Sequence, residues 1–249
     1  MPSLPQSLLL RPAPRSHGLW RNQRKSGQRK IFPLVEKDQV RDQLRRLDIH
    51  KSVGPDGIHP RVLRELAEVI AGPLSIIFER FWRTGEVPKD RRKANVIPVF
   101  KKGKKEDPGN YRPVSLASIP GNVMEWLILG AISKHMEETK AIRSNQHGFT
   151  KGKSCQTNLI AFYDGMTGWI DERRAVDVVY LDFSKAFDTV SHSILIAKLR
   201  KCGLDEWTVK WIEKWLKDRA QRVMIRGTES SWKSVKSGVP RGSVLVQSS

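Results

Sequence analysis

The chain has 249 residues, which is long enough for one large domain or two small ones with a hydrophobic core. Its 45 Lys and Arg residues against 26 Asp and Glu residues give a formal net charge of +19. This surplus predicts a polyanionic partner, nucleic acid before membrane, although a soluble protein that is merely basic is the alternative. Two cysteines, Cys155 and Cys202, exclude a disulfide framework or a zinc site and indicate a reducing, intracellular setting.

Residues 1–33 are predicted to be a basic, disordered leader, because Pro and Ser are interspersed and no hydrophobic period occurs. The opening apolar patch of three leucines is broken by prolines, so no signal peptide is expected and the protein is not predicted to be secreted. No apolar run approaches the length of a membrane span.

Residues 34–92 are predicted to form a helical N-terminal extension, because apolar residues recur there at intervals of three and four. A turn at "GPDG" separates the first helix from a second that Pro60 begins. The apolar positions are Val40, Leu44 and Leu47 in the first helix, Val62, Leu66, Val69 and Ile70 in the second, and Leu74, Ile77, Phe78 and Phe81, expected inward, in the third.

From residue 94 the pattern changes to strands mixed with helices. "ANVIPVF" predicts a strand, and "KKGKKEDPGNYRP" predicts a polar loop. A helix carries Met124, Leu127, Ile128, Ala131, Ile132 and His135, and another at 156–170 is expected to bury Leu159, Phe162, Tyr163, Met166 and Ile170.

The last third of the chain begins with a strand predicted at 176–182. A helix opened by Ser191 follows, and Trp207, Trp211 and Trp215 mark the core face of the next helix. "QRVMIRG" and "WKSVKSGV" predict a hairpin. Because helices and strands do not alternate strictly, we predict an α+β fold rather than a doubly wound sheet.

"HGFTKGKSC" superficially resembles a phosphate-binding P-loop, but two features exclude one. Gly148 and Gly152 have three residues between them where that motif needs four, and the preceding segment, "AIRSNQH", does not predict a strand.

Asp182 follows the apolar run "VVYL", so a carboxylate is expected at the end of a strand. A carboxylate held there suits Mg²⁺, which prefers hard oxygen ligands completed by water and substrate phosphate. The alternative is a structural role for both aspartates. Asp182 would then cap the following turn, and Asp188 would be a cap or turn residue.

"YLDFSKAFDTV" closely resembles the first catalytic motif of reverse transcriptases encoded by non-LTR retrotransposons. Three further blocks resemble, in the family's order, the fingers motif, the sequence block that follows the fingers motif, and the nucleotide-pocket motif. They read "PVFKKGKKEDPGNYRPVSL", "NQHGFTKGKSCQTNL" and "SGVPRGSVL". With "KSVGPDGIHPRVLREL" similar to the upstream extension, the resemblance runs from about Leu34 to Leu245 and looks closest to the jockey and chicken-repeat type.

This resemblance implies the fingers and part of the palm of a right-hand polymerase over residues 93–249, with an antiparallel sheet, helices and no thumb. It implies RNA-directed DNA synthesis with two Mg²⁺ ions, an RNA template, a DNA primer and deoxynucleotide triphosphates. It further implies a nuclear or cytoplasmic location and no membrane partner.

Carried over position by position, the resemblance makes Asp182 the catalytic metal ligand and gives the Phe183 carbonyl as a second oxygen ligand. Phe187 matches the aromatic steric gate that selects deoxynucleotides, and Asp188 is expected to be structural.

The remaining matched positions are implied to bind the nucleotide. Arg112 matches a triphosphate-contacting arginine, and Lys101 is the best match for its lysine partner, with Lys102 one residue away. Pro240 and Gly242 match the loop over the templating pair. Between them Arg241 replaces the usual glutamine, which puts fidelity or nucleotide affinity in question because arginine accepts no hydrogen bond.

The chain departs from the family in having no Ala-Asp-Asp motif anywhere in its sequence. One carboxylate cannot hold two divalent ions, so we expect a C-terminally truncated domain without polymerase activity. Two other interpretations remain open. One is a non-enzymatic nucleic-acid-binding protein, and the other is a decayed remnant that folds incompletely.

Overall fold

The computed structural model describes residues 34–183, 185–240 and 242–247. The predicted leader at 1–33 lies outside the described residues. Helices lead the chain: α1 at Lys37–Arg45, α2 at Pro60–Glu65 and α3 at Ala67–Thr84. These three helices lie within the segment predicted to be helical, and Pro60 is at the first position of α2, where a missing N–H costs nothing.

Strands and further helices alternate irregularly after α3. The strands are β1 at Lys93–Phe100, β2 at Tyr111–Leu116, β3 at Arg219–Ile225, β4 at Thr228–Glu229 and β5 at Lys233–Val235. The helices are α4 at Ile119–Glu138, α5 at Cys155–Asp171, α6 at His192–Lys201, α7 at Glu206–Leu216 and α8 at Val244–Gln247. The predicted α+β class is therefore confirmed.

Three of the longer helices, α4, α5 and α7, begin at polar residues whose side chains satisfy free backbone N–H groups. The Ser118 hydroxyl accepts from a first-turn amide of α4, and Asp205 does the same for α7. At α5, Ser154 and Thr157 form a reciprocal capping box. These caps fix where each helix starts and hence the loops that precede it.

The strands form one mixed sheet with β1 and β3 at its centre, so the expectation of an antiparallel sheet is wrong for the β1–β3 pair. β1 pairs antiparallel with β2 and parallel with β3, and β3 pairs antiparallel with β4 and β5 on its other edge. The predicted hairpin is present as β3, β4 and β5. The parallel pairing matches Lys93 with Ala220, so it joins segments far apart in the chain.

The core lies where α1, α3, α4 and α7 meet. Its fully enclosed side chains include Leu44, Phe78, Val123, Ile128 and Trp211. Trp215 is also buried, which confirms the predicted core role of the α7 face for two of its three tryptophans; Trp207 is 37% exposed. In the described part of the chain no helix is both long and apolar enough to cross a bilayer.

Several predicted burials are wrong. In α5 none of the expected residues is fully buried, since Leu159, Tyr163 and Ile170 are exposed and Phe162 and Met166 are half-buried. No other described helix or strand packs extensively on α5, so its apolar side chains find no cover. Apolar residues of α2, α3 and the turn between them are also exposed: Val62, Leu66, Val69 and Ile77.

The predicted strand at 176–182 is also absent. This segment is extended but pairs with no described strand, and Val179, Tyr180 and Leu181 are 77–87% exposed. A β-strand needs a partner for its backbone N–H and C=O groups, and the described sheet offers none here.

Candidate nucleotide site

A turn at residues 185–190 lies directly against residues 237–239, and this contact brings two of the sequence motifs together. The turn carries Phe187, and the loop leads to Pro240. The joining hydrogen bonds run from Gly238 N to Val190 O at 2.9 Å, from Val239 N to Phe187 O at 2.8 Å and from Ser237 Oγ to Asp188 O at 3.2 Å. Backbone groups of the turn and loop are thus held in one register.

Gly238 makes this close approach possible. Its φ is +81°, and a Cβ there would lie 2.7 Å from Phe187 O and 2.8 Å from the Asp188 Cα. Any side chain would push the loop off the turn. The Gly238 carbonyl also lies 2.8 Å from His192 Nε2, so α6 contributes a further tie.

A cavity of about 210 Å³ opens beside this junction, and we refer to it as the sheet cavity. Its walls are β1, β2, β3 and β5, together with Asp188 and residues 237–240. On the β1–β2 hairpin, Val96 and Pro113 line it. Pro240, a predicted nucleotide-pocket residue, therefore borders a concave surface.

Lys101 and Arg112 lie close together on the β1–β2 hairpin. Arg112 pairs with Val99, and Lys101 N donates to Asn110 O at 2.9 Å, which extends the ladder one step. Because side chains alternate along a strand, Lys101 and Arg112 project from the same face, and both are exposed. Pro113 follows Arg112 and lines the sheet cavity, so the two basic residues project from the opposite face.

Asp182 and Phe183 belong to the extended segment that precedes the turn. Asp182 is exposed, and the Phe183 side chain is 84% exposed. Among the described residues, no group of three or more His, Cys, Asp or Glu side chains is arranged to hold a metal ion. In the described part of the chain Asp182 is therefore not part of a cluster of acidic side chains that could hold a metal ion.

The loop closes after Pro240. Arg241 lies outside the described residues, and Gly242 has a φ of +99°. Ser243 N donates to Pro240 O at 3.2 Å, which completes the turn before α8. Pro240 and Gly242 are both half-buried.

Glu125 on α4 is a polar residue that our sequence reasoning missed. Its side chain is buried, with 3% of the residue exposed. Its Oε1 accepts from Trp215 Nε1 at 3.0 Å, and its Oε2 accepts from Val244 N at 3.1 Å. A single acid inside the apolar stretch "NVMEWLILG" was the available signal, because a buried carboxylate needs partners.

Two arginines share the environment of Glu125. Arg219 is 4% exposed, with its guanidinium carbon 4.7 Å from the centre of the Trp215 ring, and Arg91 lies over the Phe78 ring at 5.1 Å. Burial raises the pKa of the Glu125 carboxyl, since desolvation outweighs the attraction of Arg219 and the hydrogen bonds. Burial also lowers the pKa of Arg219, and it lowers the pKa of Arg91 to about 10.

Comparison with known proteins shows one consistent family. Residues 101–248 match the sequence model of the family described as "Reverse transcriptase (RNA-dependent DNA polymerase)". The chain is 28% identical to "Probable RNA-directed DNA polymerase from transposon BS" of Drosophila melanogaster. It is 30% and 31% identical to "RNA-directed DNA polymerase from mobile element jockey" of Drosophila melanogaster and of Drosophila funebris.

Each of these three similarities covers 85% of this chain and 23% of the relative. The chain thus spans about a quarter of the length of the curated relatives that it matches. Since the family match itself covers more than half of the chain, the protein belongs to the reverse transcriptase family, among the members encoded by non-LTR retrotransposons.

Proposed function

We propose that this chain forms the fingers and part of the palm of an RNA-directed DNA polymerase of a non-LTR retrotransposon. Its partners would be an RNA template, a DNA primer and deoxynucleotide triphosphates, inside the cell in the nucleus or cytoplasm. The observation that carries this proposal is the junction between the 185–190 turn and residues 237–240, beside the sheet cavity. It joins the gate residue Phe187 to the loop of Pro240 through backbone hydrogen bonds.

Phe187 and the loop would form the sugar and base side of the nucleotide site. The Phe187 carbonyl accepts from Val239 N, so the gate residue's backbone cannot shift without moving the loop. A bulky ring there would exclude a 2′-hydroxyl by shape. Pro240, Arg241 and Gly242 would lie over the templating base pair, and Arg241 would offer donors only.

Lys101 and Arg112 would bind the triphosphate. Both are exposed on one face of the hairpin, so a guanidinium fork and an ammonium could contact the same phosphate chain. This face is opposite the one that lines the sheet cavity. We therefore infer that the nucleotide contacts the face of the hairpin that carries Lys101 and Arg112 and does not lie entirely within the cavity.

The family uses divalent metal ions, and the donors offered here fit one Mg²⁺ better than two. Asp182 supplies a carboxylate and Phe183 a carbonyl, both hard oxygen ligands, on an exposed segment where water and phosphate oxygens can complete the shell. A bound ion would stabilise developing charge on the reacting oxygens. Asp182 would hold it next to the primer end.

The isolated chain is expected to lack polymerase activity, because its sequence contains no Ala-Asp-Asp motif to complete the carboxylate set. A primer-extension assay with Mg²⁺ and all four deoxynucleotide triphosphates should show no incorporation. Robust incorporation that Asp182→Ala abolishes would overturn the expected inactivity while supporting the polymerase assignment.

Nucleotide binding tests the proposed site without requiring turnover. We expect the chain with a template–primer duplex and Mg²⁺ to bind a fluorescent deoxynucleoside triphosphate. Arg112→Ala should weaken this binding by about tenfold or more, the usual value of a charge-assisted hydrogen bond. Lys134→Ala, which removes an exposed charge from α4, is the control and should change affinity by less than about twofold. Equal losses in both variants would contradict the assigned roles.

A second candidate function is nucleic-acid binding without catalysis. The exposed lysines of the hairpin loop favour it, since Lys101, Lys102, Lys104 and Lys105 all face solvent. Filter binding across a salt series should then show a steep salt dependence with no nucleotide requirement. Absence of binding at low salt would reject this candidate.

A further inference from the structure

The loop at residues 237–243 is fixed at both ends by groups from distant parts of the chain. At its first end, Gly238 N and Val239 N donate to carbonyls of the 185–190 turn at 2.9 and 2.8 Å. Between its ends it borders the sheet cavity through Pro240. Its position therefore depends on what holds the second end.

The second end is held by a buried side chain of α4. Ser243 and Val244 are 2% and 9% exposed, so the loop enters the interior there. Val244 N begins the short helix α8 and has no helical partner for its hydrogen. The Oε2 of Glu125 accepts that hydrogen at 3.1 Å.

A carboxylate suits this position better than an amide would. The second oxygen of Glu125 accepts from Trp215 Nε1 at 3.0 Å, so each oxygen serves a different donor. Glutamine has one acceptor oxygen and a donating amide, so either Trp215 or Val244 would lose its partner. Burial favours the protonated carboxyl, and Arg219, buried nearby, together with the donors Trp215 Nε1 and Val244 N opposes this by favouring the charged carboxylate.

We propose that Glu125 is a positioning residue that anchors the loop at 237–243 against the 185–190 turn and over the sheet cavity. At this end of the loop Glu125 accepts from the Val244 amide, and the Ser243 side chain lies next to it. Its importance for nucleotide binding rests on the proposed function, but its anchoring of the loop does not.

Amide hydrogen exchange of the full chain tests this anchoring. In Glu125→Leu, which has a side chain of similar size but no acceptor, exchange at Val244 should rise by about tenfold or more, because the amide loses its hydrogen-bond partner. The increase should extend to Gly238 and Val239, which Glu125 does not touch. Both increases should exceed what the change in global stability, measured by urea unfolding, explains.

Two control variants separate anchoring from ordinary loss of packing. Val123→Ala removes a fully buried side chain of the same helix, about 200° around the axis from Glu125. Trp215→Phe removes the other donor to Glu125 and leaves the Val244 bond in place. Neither variant should raise exchange at Gly238 and Val239 beyond its effect on global stability.

Unchanged exchange at Val244 in Glu125→Leu would overturn the proposal. So would an increase confined to Val244, since the loop would then hold its position without Glu125. Binding of the fluorescent deoxynucleoside triphosphate gives a separate reading of function. If the parent chain binds no nucleotide while exchange spreads through the loop, the anchor stands and the proposed polymerase site fails.

Discussion

A substitution at Gly238 tests whether the turn at residues 185–190 and the loop at residues 237–243 are in contact. Gly238→Ala adds a Cβ 2.7 Å from Phe187 O at a φ of +81°, so strain and overlap both apply. We expect the free energy of unfolding to fall by about 2–4 kcal/mol, the sum of left-handed strain and overpacking. Urea unfolding measures this loss.

Gly227 provides the matched control for that substitution. Its φ is +84°, and no atom lies within 4 Å of a Cβ built there. Gly227→Ala should therefore cost only the backbone strain, about 1–2 kcal/mol. Equal losses at both glycines would show that Gly238 does not sit against Phe187.

Glu125 should make stability depend on pH. Because burial raises the pKa of its carboxyl in the folded state, the folded state keeps this proton at pH values where the unfolded state has lost it. Its contribution is then complete below the unfolded pKa and declines as pH rises through the window up to the folded pKa. We expect the free energy of unfolding to fall as pH rises above about 4.5, the ordinary value for Glu.

Comparison with Glu125→Gln isolates this effect from other titrating groups. The difference in unfolding free energy between the parent chain and the variant should shrink or reverse as pH rises, since glutamine does not ionise. Arg219 and Arg91 face the same carboxyl, and Arg91, with a pKa of about 10, stays protonated throughout this range. A difference that grows with pH would mean that the carboxylate is stabilised, not penalised, by its surroundings.

At the scale of elements, α1 and α5 show that equal sequence patterns can give unequal burial. Leu44 in α1 is fully buried, whereas Leu159 in α5 is 54% exposed. We expect Leu44→Ala to lower the free energy of unfolding by about 2–5 kcal/mol and Leu159→Ala by less than about 0.5 kcal/mol. Thermal or urea unfolding of both variants checks this, and similar losses would indicate that α5 packs in solution.

The sequence predicted the existence of these helices well, because hydrophobic period and capping residues are local signals. The same hydrophobic period gave a wrong prediction for the burial of α5. Whether a helix face is covered depends on elements elsewhere in the chain, which a local pattern does not report. The extended segment at 176–182 failed as a strand for that reason. Val179 and Tyr180 have strand propensity, but pairing requires a neighbour that propensity does not supply.

The site residues stay predictions, and their arrangement could not be read from the sequence. The resemblance predicts roles for Phe187, Pro240 and Arg112, and only the structure shows which backbone groups join the first two and which face the third occupies. Glu125 escaped notice because its partners, Trp215 and Val244, are 90 and 119 residues away.

At the scale of the whole molecule, the residues that give the chain its net charge are largely different from those that form its core. The core where α1, α3, α4 and α7 meet contains only a few buried charged residues. The excess of Lys and Arg that gives the net charge of +19 lies largely outside this core. Cations without nearby acids raise the cost of compaction but attract a polyanion over a Debye length. Nucleic-acid affinity should therefore depend on where the lysines lie as well as on their number.

The hairpin loop is the place to test that expectation. A variant with three lysines of the loop replaced by alanine, Lys102, Lys104 and Lys105, should bind an RNA–DNA duplex more weakly. Its plot of log affinity against log salt should be shallower by up to about 2.7, at about 0.9 per lost phosphate contact.

The control removes the same charge from other exposed positions: Lys134, Lys140 and Lys217. If position matters, this variant keeps the parent's salt slope, because screening at physiological salt limits charges that do not touch phosphate. Fluorescence anisotropy from about 50 to 200 mM salt covers the range in which such contacts change affinity most. Equal slopes in the two triple variants would mean that net charge alone drives binding and that the hairpin makes no local contact with the duplex.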